Sequence, residues 1–174
     1  MDTRQTSTGF YFKTLSGILG NPGQFFSELS RETKIWHSLI FLIVSGFIFT
    51  CSSLMNIEDN HLVTGLILFA NAVGMVFISS GIGYMIMVMT AGRHSDFKRF
   101  FSIYALSSGV TLLASWIPFF LVITEPWKWW LIGTGLTKNI GLKWTQALII
   151  IGLSIFVIVM FFYSANLLFI SHNN

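Results

Sequence analysis

The chain reads as an all-α, polytopic membrane bundle of five transmembrane helices preceded by N-terminal amphipathic helices at the interface. Three observations predict this. Residues 35–57, 62–92, 100–124 and 144–170 contain no Asp, Glu, Lys or Arg, and each is longer than the roughly 20 residues an α-helix needs to cross a hydrocarbon core. Inside that core the backbone must satisfy its own hydrogen bonds, which favours helices. The composition, 53% hydrophobic and 10% charged over 174 residues, supplies too little polar surface to clothe a soluble globule. Finally, the basic residues segregate. With the N-terminus cytoplasmic and five spans, nine of the ten fall inside (Arg4, Lys13, Arg31, Lys34, Arg93, Lys98, Arg99, Lys138 and Lys143) and only Lys128 falls outside, as the positive-inside rule requires.

The cytoplasmic arm is residues 1–34. Phe10, Phe12, Leu15, Ile18 and Leu19 recur at near-helical spacing, while Lys13, Thr14 and Ser16 point elsewhere; this pattern predicts a helix lying on the cytoplasmic membrane surface. Gly20 breaks it. Asn21 then suits an N-cap, Pro22 the first helical position, and Gln24 the return partner of a capping box. The second helix carries Phe25, Phe26 and Leu29 on one side and Glu28, Arg31 and Glu32 towards solvent. It is either a partner-docking element or an anchor that seals the underside of the bundle.

The transmembrane domain is residues 35–170, with spans at about 35–57, 62–91, 97–116, 119–137 and 144–170, and the tail is 171–174. The first span begins too late and runs too long for a cleavable leader. The loop after it carries Glu58 and Asp59, an adjacent pair that reads as a solvated turn. In the second span Ala70, Gly74 and Gly81 share one face and Ser79 pairs with Gly83 in a small-xxx-small step, so another helix is expected to approach there, with Asn71 bonding across the contact. Alternatively, Asn71, Ser79, Ser80 and Asn166 line a cavity for a polar ligand or lipid headgroup. The excess length of this span calls for tilt or a kink near Gly81 and Gly83. Pro118, Glu125, Pro126 and Lys128 interrupt the fourth span, leaving two options: a full crossing, or a re-entrant piece over residues 127–136. The six tryptophans offer a check, because indoles favour the headgroup level. Trp36 and Trp144 fall at expected inner ends, and Trp116, Trp127, Trp129 and Trp130 cluster on the outer side.

Little in the chain points to chemistry. Ionisable groups kept inside a membrane usually serve a function, and the charge-free stretches offer only His37, which sits at headgroup level beside Trp36. No two histidines stand at the i, i+3 or i, i+4 spacing that holds a metal on one helix face. Cys51 is the single cysteine, so no intrachain disulfide is expected. Gly81 and Gly83 form a bare G-x-G without a strand before it or an acidic partner after it. No catalytic residue, cofactor or metal is expected, and the scattered basic residues make no stripe for nucleic acid.

The L-x-x-P-x-x-F-F run formed by Leu19, Pro22, Phe25 and Phe26, with Asn21 inside it, resembles the segment preceding the first span in small Yip1-domain proteins. Further along, Phe97 to Arg99 leading to Tyr104 and Ala105, then Trp130, Gly133, Gly135 and Leu136, then Lys143, Gln146 and Ala147, follow the same order. The resemblance runs from Phe10 to Phe169. It implies a five-helix membrane domain with a cytosolic N-terminus and a short C-terminal end on the far side. Eukaryotic members are linked to Rab GTPases and vesicle traffic, but this chain lacks their long cytosolic region and a D-L-Y-G-P motif, so Rab-type binding is not carried over. The compact format resembles the prokaryotic branch, which implies a bacterial cytoplasmic membrane.

The function expected from these features is non-enzymatic: association with lipid, with other membrane subunits or with itself, as a scaffold or accessory subunit. Phe25, Phe26, Arg93, Lys98 and Arg99 would form its cytoplasmic contact surface. The alternative is a small transporter, channel or lipid-handling protein that uses uncharged polar residues within the bundle.

Overall fold

The computed structural model describes residues 7–29, 35–55, 61–92 and 95–172, and the regular structure among them is helical throughout. In chain order the helices are α1 (Ser7–Gly20), α2 (Pro22–Glu28), α3 (Ile35–Leu54), α4 (His61–Ala91) and α5 (Phe97–Ser115). A 3-10 turn (Pro118–Phe120), α6 (Leu121–Gly135), a π-helical turn (Leu136–Ile140) and α7 (Trp144–His172) complete the chain. Arg31, Lys34, Glu58, Asp59 and Arg93 lie outside the described residues.

Three helices are long and apolar enough to cross a membrane: Ile35–Leu54, His61–Ala91 and Trp144–Ser164. Their outward faces carry Val44, Phe47, Leu66, Ile67, Phe77, Met85, Phe156 and Phe161, all exposed. Apolar cover on that scale has no place against water, so this is a membrane protein.

α5 forms the axis of the bundle. Every residue from Phe100 to Thr111 is buried, which explains why this helix tolerates Ser102, Ser107, Ser108 and Tyr104: its surroundings are protein, and only lipid-facing helices need uniform hydropathy. α3, α4 and α6 pack around it, and α7 closes the far side against α4 and α6. Close approach is made at glycines. A Cβ on Gly109 would meet the Phe41 ring at 2.7 Å, and one on Gly83 would meet the Tyr104 hydroxyl at 2.6 Å. An aromatic seam then joins α4 to α5, with Phe77 on Phe101 at 4.7 Å and Tyr84 edge-on to Phe97 and Phe100. The Tyr84 hydroxyl donates to the Ser95 carbonyl at 2.8 Å, and Asp96 caps α5 by accepting from Lys98 N at 3.0 Å.

Residues 118–140 form one unbroken helical path. Pro126 sits in the second turn of α6, where its ring nitrogen offers no hydrogen bond to the preceding turn. The π turn is closed by Gly141 at φ 78°, the left-handed position a helix C-terminus commonly gives to glycine. The sequence boundary at 137 therefore falls inside this turn, three residues before its end.

Two expectations change. The small-residue face of α4 is split: Gly83 and Ser79 are buried, but Ala70 is exposed and a Cβ at Gly74 or Gly81 would meet nothing within 4 Å. The close contact follows the Ser79–Gly83 edge because Tyr104 and Phe100 of α5 fill that side. In the arm, α1 buries Thr14 and Ile18 and half-buries Tyr11 and Leu15, whereas Phe12 and Leu19 face outwards. Its inward face therefore differs from the one expected. Tyr11 stacks on Phe41 at 4.7 Å and shares a 3.2 Å hydrogen bond with Ser45. Ser45 lies ten residues into α3, about 15 Å along its axis, so α1 climbs the side of the bundle. The small side chain of Ser45 leaves room for the tyrosine there, while Gly46 faces α4, where a Cβ would meet Val73 at 3.3 Å.

Candidate functional site

The helices enclose a cavity of about 390 Å³. α4 contributes one face through Leu68, Asn71, Ala72, Met75, Val76 and Ser79, spaced so that all point the same way. α5 contributes Ser108, Thr111, Leu112 and Ser115; α6 contributes Glu125, Lys128, Trp129 and Ile132; α7 contributes Ile155, Ile158 and Val159; and Phe49 comes from α3. These residues belong to the later part of α3 and α5 and to the middle of α4, α6 and α7, so the cavity extends from mid-bundle towards the end where α3 and α5 finish. Asn71 and Val159 both line it and are exposed, so it reaches the apolar outer surface sideways.

Its walls divide by chemistry. Met75, Ile155, Ile158 and Val159 make an apolar side, while Ser108, Thr111 and Ser115 run along α5 as a hydroxyl stripe. Thr111 donates to the Ser108 carbonyl at 3.0 Å, Ser79 to the Val76 carbonyl at 3.3 Å, and Ser115 to the Thr111 carbonyl at 2.7 Å beside Thr124 Oγ1 at 3.2 Å. With their protons returned to the backbone, the Thr111 and Ser79 oxygens keep lone pairs for an incoming donor. At the α6 end, Lys128 Nζ meets Glu125 Oε1 at 2.6 Å and lies 5.0 Å from the Trp129 ring centre. Lys128 is 21% exposed and Glu125 53%, so the lysine is the more enclosed partner. A pair this exposed contributes little to stability; its interest is that it places both signs of charge on the cavity.

Of the residues expected to line a cavity, Asn71 and Ser79 do. Ser80 is buried and donates to the Phe77 carbonyl at 3.1 Å, outside the lining, and the side chain of Asn166 is not described. Ser108, Thr111, Ser115, Glu125 and Lys128 were not anticipated. The spacing 108, 111, 115 is one helical face and was the available signal, masked by other hydroxyls at Ser102 and Ser107.

The expected cytoplasmic surface is altered. Phe26 is fully buried, packed edge-on to Phe25 at 5.5 Å, and so is not presented to a partner. Arg99 is engaged by Asn139, with Nη2 donating to its carbonyl at 2.7 Å and Nε to its Oδ1 at 3.1 Å. Lys98 is exposed and Phe25 half-buried.

The Yip1 domain family model matches residues 16–165, most of the chain. This protein belongs to the Yip1 domain family. No curated protein and no solved structure matches it significantly. The Yip1 domain as matched spans everything from the second half of α1 to α7, so the cavity and both of its charged residues are part of the domain itself.

Proposed function

We propose that this Yip1-domain protein is a non-enzymatic, five-span membrane protein that takes a membrane amphiphile into its helix bundle, a lipid-handling role. The observation that carries this is the cavity: apolar on one side, hydroxyl-lined on the other, charged at one end, and open sideways at Asn71 and Val159. An amphiphile matches all four properties. The basic-residue distribution supports a cytoplasmic N-terminus, the resemblance to the prokaryotic branch of the family supports a bacterial inner membrane, and α5 and the 118–140 path serve as the two further crossings. In that orientation the cavity extends from mid-bilayer towards the outer side and Glu125–Lys128 stands at headgroup depth.

Association as a scaffold or accessory subunit has less support, because burial of Phe26 and the Asn139 contacts of Arg99 remove two of its expected surface residues. The test is lipid co-purification. Ala72→Phe, which fills the cavity from a half-buried position, should abolish specific lipid retention in native mass spectrometry while leaving thermal unfolding in detergent within a few degrees of wild type. Undiminished retention by a folded A72F protein would remove the cavity from the function.

A further inference from the structure

We infer that the cavity selects a phospholipid whose headgroup carries both a phosphate and a primary ammonium, a phosphoethanolamine-type headgroup. This rests on the amphiphile reading above and narrows it.

Charge supplies the first argument. Among the described residues Glu125 and Lys128 are the charged ones on the cavity, and they neutralise one another across 2.6 Å. A purely anionic headgroup taking Lys128 would set its own negative charge beside a Glu125 that has lost its partner, and a purely cationic one taking Glu125 would do the same to Lys128, the more enclosed of the two at 21% exposure; like charges so juxtaposed disfavour either complex. A zwitterion exchanges partners with both, its phosphate to Lys128 and its ammonium to Glu125, with no net charge brought into the bundle.

Hydrogen-bonding capacity supplies the second. Thr111 and Ser79 already donate to backbone carbonyls and so present acceptors to the cavity. A primary ammonium brings three N–H donors to meet them, whereas a trimethylammonium brings none. Quaternary ammonium groups are held instead by cages of several aromatic rings, and here Trp129 and Phe49 are the aromatic residues in the lining, on different helices. The Asn71 amide makes no hydrogen bond among the described residues yet sits at the lateral opening of an apolar helix, where an amide left unpaired is unfavourable. It is placed to meet the glycerol ester region of a lipid whose chains stay in the bilayer.

Size agrees. About 390 Å³ lies at the low end of small-molecule sites, room for a headgroup with its tails left outside.

The experiment measures binding of dihexanoyl-phosphatidylethanolamine, -phosphatidylcholine and -phosphatidylglycerol to the purified full chain in detergent by calorimetry, with native mass spectrometry as the second readout. The expected result is at least tenfold tighter binding of the ethanolamine lipid than of either other, with the preference lost in both Glu125→Gln and Lys128→Gln, and weakened about threefold in Thr111→Val. Thermal unfolding verifies that each variant is folded. Equal binding of all three lipids, or a preference for the glycerol or choline lipid, overturns the headgroup assignment and leaves the amphiphile reading standing. An ethanolamine preference that persists in folded E125Q and K128Q overturns its assignment to this pair. Binding of none of the lipids overturns both readings.

Discussion

Arg99 and Asn139, forty residues apart, are joined twice: the guanidinium donates to the Asn139 backbone carbonyl at 2.7 Å and to its side-chain oxygen at 3.1 Å. The Asn139 amide then donates to the Phe26 and Leu29 carbonyls at 2.9 and 3.0 Å. These are carbonyls at the C-terminal end of α2, which has no further helical turn to bond them. One side chain in the π turn thus ties α5 to the arm and satisfies the exit of α2.

Asn139→Leu should therefore act on the arm first. It leaves two carbonyls without donors and the guanidinium short of one acceptor, and each such loss costs on the order of 1–3 kcal/mol where the group is shielded. The expected outcome is a clear drop in thermal stability together with new protease cleavage between α1 and α3. Asn139→Asp keeps the acceptor for Arg99 but sets a carboxylate against the two carbonyls, so cleavage of the arm should appear with a smaller loss of overall stability. Limited proteolysis followed by mass mapping separates the two variants.

Gly83 and Gly81 should respond in opposite ways to alanine. At Gly83 a Cβ would lie 2.6 Å from the Tyr104 hydroxyl and 3.2 Å from the Phe100 ring, an overpacking expected to cost about 1–3 kcal/mol. At Gly81 the space is open within 4 Å, and alanine should be neutral or slightly stabilising through helix propensity. Because the buried Tyr104 hydroxyl makes no hydrogen bond of ordinary length among the described residues, Tyr104→Phe should be tolerated alone and should partly rescue Gly83→Ala. Unfolding midpoints of the four proteins in one detergent decide this.

Topology reporters check the span count. Five crossings put a C-terminal alkaline phosphatase fusion on the outer side, where it is active, and a fusion at Leu142 inside, where it is not. A re-entrant α6 inverts both results, giving an inactive C-terminal fusion and an active one at Leu142.

The helices were legible because the charge-free stretches are a property of lipid contact, which acts on every outward residue at once. α3, α4 and α7 therefore fall close to their expected bounds. What the sequence hides is governed by particular contacts. The π turn at Leu136–Ile140 follows a Gly135 pressed against Ile103, a relation between distant positions with no local signature. The cavity was half visible: Asn71 and Ser79 stand out as polar residues in an apolar helix, whereas Ser108, Thr111 and Ser115 are spread among hydroxyls that merely bond their own backbone. Glu125 and Lys128 showed only as an interruption, because their meaning depends on the neighbouring helices that form the other walls.

Asn71 allows stability and binding to be separated. Its amide lies at the cavity opening on a long apolar helix and makes no hydrogen bond among the described residues. Asn71→Leu removes a polar group from an apolar setting, so the empty protein should gain about 1 kcal/mol, seen as a rise of a few degrees in its unfolding midpoint. The same change should weaken retention of ethanolamine phospholipid severalfold, because a donor and an acceptor at the opening are lost together. If Asn71 served only to glue helices, the substitution would lower the midpoint and leave lipid retention unchanged. Opposite movements of the two readouts therefore mark the residue as one held for binding at the expense of stability.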